Sequence, residues 1–441
     1  MLPIGSSLRE RRHFVALWLV ALSWTSILAF HPRVVTHTLG FLSIYQGRQW
    51  RLGKNVTRFG LANTLALGVG ELGLQRPVGF SREDSLAAIQ PRETATDLVP
   101  GAFSVVTPKS LVVILLESFV DPYVYGFKLS ADPIPNFRAL AKRHELRQVI
   151  VPVFGGGTAT TSFELLTGIG LTELAAPTHP FLDLIYQPTH SLVWTLRRNG
   201  YSTVGLHNFL GKSWRRNKAW PFLGFEKALF LDSMPGAETN YRGFPKSDVP
   251  LFNRITKEIE SAKGPLFLYG VTVALHAPYF PRERSTDTIR VLAKDGERGL
   301  TRRRKAQFEE YLRRIQQMDA ELAPLTTLLE KKKIPFVLFG DHHSYLGKLF
   351  SKDRTEEELE LAKHTTPIVF QRDLAASLSL PKKFDMSCLA RGLVTALGVK
   401  RAPIDEVVFR DCASKAPPSD LRKNLFYDVF HSKLGFEGST P

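Results

Sequence analysis

Four short apolar runs constrain this 441-residue chain more than any other feature. They are L-V-V-I-L-L at 111–116, Y-S-T-V-G-L at 201–206, P-L-F-L-Y-G-V-T-V at 265–273 and I-P-F-V-L-F-G at 334–340. The first is continuous and rich in β-branched residues, and the other three are of the same type; strands of this kind are covered on both faces. Between them lie helix-like stretches, including 190–199 and the strongly amphipathic 303–332. Strands alternating with helices predict an α/β fold with a mostly parallel central sheet flanked by helices on both sides. In such sheets ligands gather beyond the carboxyl ends of the strands, so the residues that follow the runs are the ones to inspect.

Polar residues stand there. Glu117 follows the first run in L-L-E-S-F, Asp341 and His342 follow the last in L-F-G-D-H-H, and His276 follows the third in V-A-L-H-A-P-Y. One acidic residue at a strand end is most simply a helix cap or a loop ion pair, but several at successive ends make a site. Carboxylates with an imidazole form a mixed oxygen and nitrogen donor set, suited to manganese, zinc or magnesium more than to calcium. The remaining element is F-G-G-G-T-A-T-T-S-F-E-L-L-T-G at 154–168. Its three glycines let the backbone approach a ligand closely, and the segment after them can start a helix whose amino end favours an anion. Thr158 sits at that junction. Its hydroxyl either caps the helix or, beside a divalent cation, loses its proton far more easily than in water and attacks phosphorus. His343 and His364 are further candidates for a second metal position.

The ordered set V-I-L-L-E-S-F, G-G-G-T before F-E-L-L-T-G, H-A-P-Y and F-G-D-H resembles lipoteichoic acid synthase and its phosphoglycerol transferase relatives, within the alkaline phosphatase and sulfatase superfamily, over about residues 110–400. The resemblance implies one divalent ion, manganese in the first place and zinc or magnesium otherwise, held by Glu117, Thr158, Asp341 and His342, with Thr158 as nucleophile. It also implies substrate contacts from His207, Trp214 and Arg216 in L-H-N-F-L-G-K-S-W-R-R-N, and a catalytic role for His276 at the leaving oxygen. The implied donor is a phospholipid head group and the implied acceptor a glycan or lipid of the cell envelope. Phosphodiester or phosphomonoester hydrolysis is the alternative, and a non-catalytic envelope protein the third reading. An arylsulfatase needs a C/S-x-P-x-R motif at the nucleophile, which the surroundings of Thr158 lack.

Composition bears on location and partners. Residues 14–30 carry no charge and follow Arg9, Arg11 and Arg12, which predicts an amino-terminal membrane anchor with the rest of the chain outside the inner membrane. The expected organisation is an anchor at 1–31, a juxtamembrane connector at 32–105, a catalytic domain at 106–415 and a tail at 416–441. The net charge of +16 suits an anionic membrane surface or a phosphorylated substrate; nucleic acid is excluded because no basic-aromatic motif accompanies the charge. The two cysteines, Cys388 and Cys412, cannot build a zinc cluster, and would pair only in an oxidising compartment.

Overall fold

Among the described residues eight strands are found: β1 (Leu111–Leu116), β2 (Glu145–Ile150), β3 (Ser202–His207), β4 (Lys227–Leu229), β5 (Leu266–Val271), β6 (Phe336–Gly340), β7 (Thr365–Phe370) and β8 (Lys383–Asp385). They form one sheet in the order β4-β3-β5-β1-β6-β7-β2-β8. Only β7 runs against its neighbours; every other adjacent pair is parallel. The four apolar runs are β1, β3, β5 and β6, side by side at the centre, and β1, β5 and β6 are buried along their whole length. This is the predicted mostly parallel α/β architecture.

This computed structural model describes residues 76–89 except 78, 110–171, 174, 179–280, 289–294, 297, 300–346, 349–350, 354–409 and 420–434 except 433, with isolated residues before 64. The chain divides into two compact units, residues 1–75 with 175–178 and residues 76–174 with 179–441; in the first, little more than short helical pieces such as 56–58 is described. All of the expected anchor at 14–30 except residues 18, 19, 23 and 26, and most of the connector, lie outside the described residues, as does Cys412 and with it any pairing to Cys388. Among the described residues no helix is long and apolar enough to cross a membrane.

Helices that matter for the site are α1 (Arg82–Ile89), α2 (Thr158–Thr167), α3 (Val249–Ser261), α4 (Arg302–Lys331) and α5 (Asp420–His431). In α4, the buried residues Phe308, Tyr311, Leu312, Ile315, Met318, Leu322, Leu325 and Leu329 recur every three or four positions, one stripe of a 30-residue helix. They share a core with Val112, Ile114 and Leu116 of β1 and with Leu251, Phe252 and Ile255 of α3. Each such side chain contributes about 1.5–3 kcal/mol on burial, which anchors α4 far more firmly than helix propensity does. At β3, Gly205 leaves room for the buried Trp220, whose ring a Cβ there would approach to 2.7 Å. Near the carboxyl end, α5 packs on α1, with Tyr427 against Phe80 just before that helix (5.0 Å), and sets Phe430 against Phe163 of α2 (5.8 Å).

The centre of the sheet leaves no slack where the site begins. Gly340 ends β6, and a Cβ there would lie 1.9 Å from the carbonyl oxygen of Phe119, in the loop that follows β1. That contact is with backbone, which no rotamer change relieves. Gly340→Ala is therefore expected to lower the unfolding free energy by about 3 kcal/mol or more, read as a fall in the urea midpoint.

Candidate active site

β1 and β6 are hydrogen-bonded neighbours with Leu116 opposite Gly340, so the next residue of each, Glu117 and Asp341, emerges at the same edge of the sheet. Ser118 then turns the chain with φ 51, a left-handed conformation that a residue with a Cβ rarely adopts. Three bonds hold it. The Ser118 amide donates to Asp341 Oδ1 (2.8 Å), its hydroxyl donates to Glu117 Oε1 (2.8 Å), and its carbonyl accepts from the Tyr311 hydroxyl of α4 (3.0 Å). The Glu117 amide donates to Thr272 Oγ1 (2.8 Å) just beyond β5.

The glycine turn delivers Thr158 to the same place. Gly155, Gly156 and Gly157 all have positive φ (72, 137 and 110), and Gly157 is the residue before α2, so Thr158 opens the helix as expected. Its hydroxyl donates to Glu117 Oε2 (2.9 Å) and lies 3.5 Å from His342 Nε2. Thr161, one turn on, donates to the Asp341 carbonyl (2.9 Å), which ties α2 to the end of β6.

Glu117, Asp341 and His342 offer ligand atoms that all lie within 4.8 Å of one another, and all three side chains are buried. Asp341 Oδ2 is 3.2 Å from His342 Nε2 yet has no hydrogen-bond partner among the described residues. An acceptor so placed, with a second carboxylate, an imidazole and a hydroxyl around it, fits a divalent cation: carboxylates are buried in this way when they are paired or ligate metal. Burial pushes Glu117 up, but His342, His276 and the donors Ser118 and Thr158 outweigh it and hold the carboxyl below its usual range. Burial raises Asp341 to about 7, opposed by His342 and reinforced by Glu117. Burial works against the charge on His342, but Asp341 and Glu117 beside it win and raise it. The cluster thus retains protons near neutrality that a cation would expel.

Of the other expected residues, His276 and Arg216 interact electrostatically with the cluster and His207 with both of them. Arg216 is 2% exposed, with Nε unpartnered and Nη1 3.4 Å from the Ser213 carbonyl. Burial lowers it to about 10 while Tyr269, Glu117 and Asp341 favour its charge. His207 is buried at the end of β3, with Nδ1 3.1 Å from the Val271 carbonyl; burial, Arg216 and His276 depress it far below the usual histidine range, so it is a neutral imidazole. Trp214 and Arg215 both have left-handed backbone (φ 56 and 51), and the half-buried Trp214 ring lies 5.3 Å from that of His179. His276 is half-buried, stacked on Phe244 (4.5 Å, 15°), with its carbonyl held by Arg314 Nη1 (3.1 Å). The rings of His343 and His364 point elsewhere: His343 Nε2 lies 2.9 Å from the Thr365 carbonyl and His364 Nδ1 2.8 Å from that of Val151, so neither joins the three-residue cluster.

One organising residue escaped the sequence reading. Asp248, fully buried just before α3, accepts from the amides of Val273 (2.9 Å) and Ala274 (3.1 Å) and from Asn208 Nδ2 (3.1 Å). It therefore braces the turn that carries His276 against the residue after His207. In sequence, K-S-D-V-P reads only as a helix start; its partners are 25 to 40 positions away. Asp248→Ala would leave three donors unpaired, two of them backbone, and is expected to cost about 3 kcal/mol of stability, measurable by chemical denaturation.

The Sulfatase family model matches residues 109–373. The chain belongs to that family. It is 27% identical over 333 residues to a putative cyclic beta-1,2-glucan modification protein of Rhizobium meliloti (strain 1021), covering 73% of this chain and 50% of that one. The chain spans half or less of the length of the curated relatives it matches. Among solved structures it is similar to the phosphoglycerol transferase GacH of Streptococcus pyogenes, determined in complex with sn-glycerol-1-phosphate (TM-score 0.62, 19% identity, 81% of this chain and 95% of that one). It is also similar to the lipoteichoic acid synthase LtaP of Listeria monocytogenes (TM-score 0.51, 17% identity, 77% and 81%). These likenesses establish the sulfatase-like fold that the motifs implied.

Proposed function

We propose that this sulfatase-family chain is a metal-dependent transferase that moves phosphoglycerol, or a related phospho-group, from a phospholipid head group to a hydroxyl of an envelope glycan or lipid. The observation that carries the reading is the setting of Thr158: a buried hydroxyl at the head of α2, 2.9 Å from one cluster member and 3.5 Å from another. The phosphoglycerol transferase named among the similar structures, and the glucan modification named for the Rhizobium relative, support this choice of donor and acceptor. In this reading residues 1–31 tether the catalytic domain, 106–415, to the outer face of the inner membrane.

Glu117, Thr158, Asp341 and His342 would hold one divalent ion, manganese first and zinc or magnesium otherwise. Such an ion supplies charge stabilisation at the phosphoryl oxygens and makes a hydroxyl beside it more acidic. Thr158 directs its hydrogen to Glu117 Oε2, which frees an oxygen lone pair for attack on phosphorus. The Thr158 Oγ1–P bond forms as its proton passes to Glu117 Oε2 and the bond from phosphorus to the diacylglycerol oxygen breaks, with His276 delivering a proton to that oxygen. The acceptor hydroxyl then attacks the same phosphorus, its proton passes to His276, and Thr158 Oγ1 leaves, taking back its proton from Glu117 Oε2. Arg216, whose Nε has no hydrogen-bond partner among the described residues and whose charge Glu117 and Asp341 favour, pairs with the phosphoryl oxygens that do not react; His207 and Trp214 flank the head group.

The test uses the full chain in detergent with fluorescent phosphatidylglycerol, manganese added or chelated. Metal-dependent release of diacylglycerol is the expected result. Cleavage of a simple phosphate ester without that release would move the assignment to a hydrolase, and bound metal with neither activity would move it to a non-catalytic role.

A further inference from the structure

Beside His276 lies a cleft of about 270 Å³ lined by Asn240, Tyr241, Arg242, Phe244, His276, Ala277, Pro278, Phe280 and Arg314. Two large rings stand at its rim: Tyr241 is 82% exposed and Phe280 51%, with centroids 6.5 Å apart and planes at 40°. Two exposed rings side by side make an apolar patch that a ligand or partner can cover. They are also held in place. Asn240 Oδ1 accepts from the amides of Arg242 (2.8 Å) and Phe244 (3.3 Å), the Asn240 amide donates to the Phe244 carbonyl (2.7 Å), and Gly243 takes φ 79, so the turn that presents Tyr241 is a closed one. Opposite it, Arg314 bonds the carbonyls of His276 (3.1 Å) and Pro278 (3.3 Å), which fixes the segment leading to Phe280. The floor is the stacked pair Phe244 and His276.

From this juxtaposition we infer that Tyr241 and Phe280 form a carbohydrate-binding subsite, which stacks a sugar ring of a neutral glycan acceptor beside His276. The chemistry selects this ligand over the others at hand. A sugar ring has apolar C–H faces that lie against aromatic planes and a hydroxyl edge that needs donors and acceptors, and this cleft is lined by two rings together with the polar side chains of Asn240 and Arg242. An acyl chain would want an apolar trough without that polar edge. A phosphate would want several unneutralised cations; Arg314 is already paired with Glu310 (2.8 Å), which leaves the cleft the single guanidinium of Arg242. The subsite names the acceptor for the transfer proposed above and rests on that reading for its purpose, although binding itself does not require turnover.

Saturation-transfer NMR on the full chain in detergent, with a neutral β-1,2-linked glucose oligosaccharide as probe and metal chelated, tests this directly. Expected are signals from the sugar ring protons, weakened at least tenfold in apparent affinity by Tyr241→Ala combined with Phe280→Ala and retained by Tyr241→Trp. Both rings are exposed at the rim, so unchanged melting temperatures will show that the variants are folded. Equal binding by wild type and double variant overturns the inference, as does absence of binding to wild type. Loss of binding to phosphatidylglycerol vesicles, with sugar binding intact, would assign the rings to a lipid surface instead. Oligosaccharide binding that depends on both rings in a protein with no donor turnover would uphold the subsite while removing the transfer reading.

Discussion

Thr158→Ala should reduce turnover of the phospholipid donor by about 10³-fold or more, while Thr158→Ser keeps a substantial fraction. The argument is one of reach. Thr158 Oγ1 is the hydroxyl that touches both Glu117 and His342, and removing it takes away the atom that would bond to phosphorus while leaving the carboxylates, the imidazole and Arg216 where they are. The helix it opens is packed through Phe163, Leu165 and Leu166, so the substitution has little to unfold. Two measurements separate a nucleophile from a mere cap. Acid-quenched wild-type protein mixed with donor should show, by intact mass, a covalent phosphoglycerol adduct that the alanine variant lacks. Divalent-cation affinity should change by no more than about tenfold, because one neutral ligand of four is lost. A variant that turns over normally would remove Thr158 from the chemistry.

Chelation should abolish activity, and Asp341→Asn should do nearly the same by weakening cation binding by about 10²-fold or more. Asp341 is fully buried and presents an oxygen with no hydrogen-bond partner among the described residues, the mark of a group waiting for a positive charge. The sign of the pH dependence follows. Without cation, Asp341 holds its proton up to about pH 7 and His342 holds its own above the usual histidine range. Cation binding must displace these protons, so affinity rises with pH up to at least about 7, about tenfold per pH unit for each proton released. Calorimetric titration with manganese in two buffers of different ionisation enthalpy gives both affinity and proton count. Affinity that is flat from pH 5.5 to 7.5 would contradict the cluster as ligand set. Because Asn keeps the shape and one acceptor oxygen of Asp341, the variant should remain folded and isolate the effect of charge.

The central half of this sheet was legible in sequence because β1, β5 and β6 are buried on both faces and β3 nearly so, and burial on both faces writes an uninterrupted apolar run. The other half was not. Strand β2, E-L-R-Q-V-I, exposes alternate residues, β7 carries Pro367, and β4 and β8 are three residues long, too short for any pattern to register. The cluster was legible for the same reason as its strands: Glu117, Asp341 and His342 directly follow runs that could be read. What sequence could not reveal were the groups that act through backbone. Ser118 in its left-handed turn, Thr272 on the Glu117 amide and Asp248 on three distant donors look like ordinary loop residues until the strands are paired.

The pairing of β1 with β6 has a consequence for how the molecule reaches its working state. Adjacent central strands of this composition, L-V-V-I-L-L beside F-V-L-F-G, have few side-chain features to forbid a slip of one residue. Such a slip would move Glu117 about 3.3 Å along Asp341 and reverse which sheet face each strand residue occupies. Only the native alignment brings both carboxylates to one point with Gly340 under the Phe119 carbonyl. A cation bound there would favour the correct alignment over every shifted one by its whole binding free energy, so the ion would act as a proofreader of assembly, selecting among folded forms before any substrate arrives.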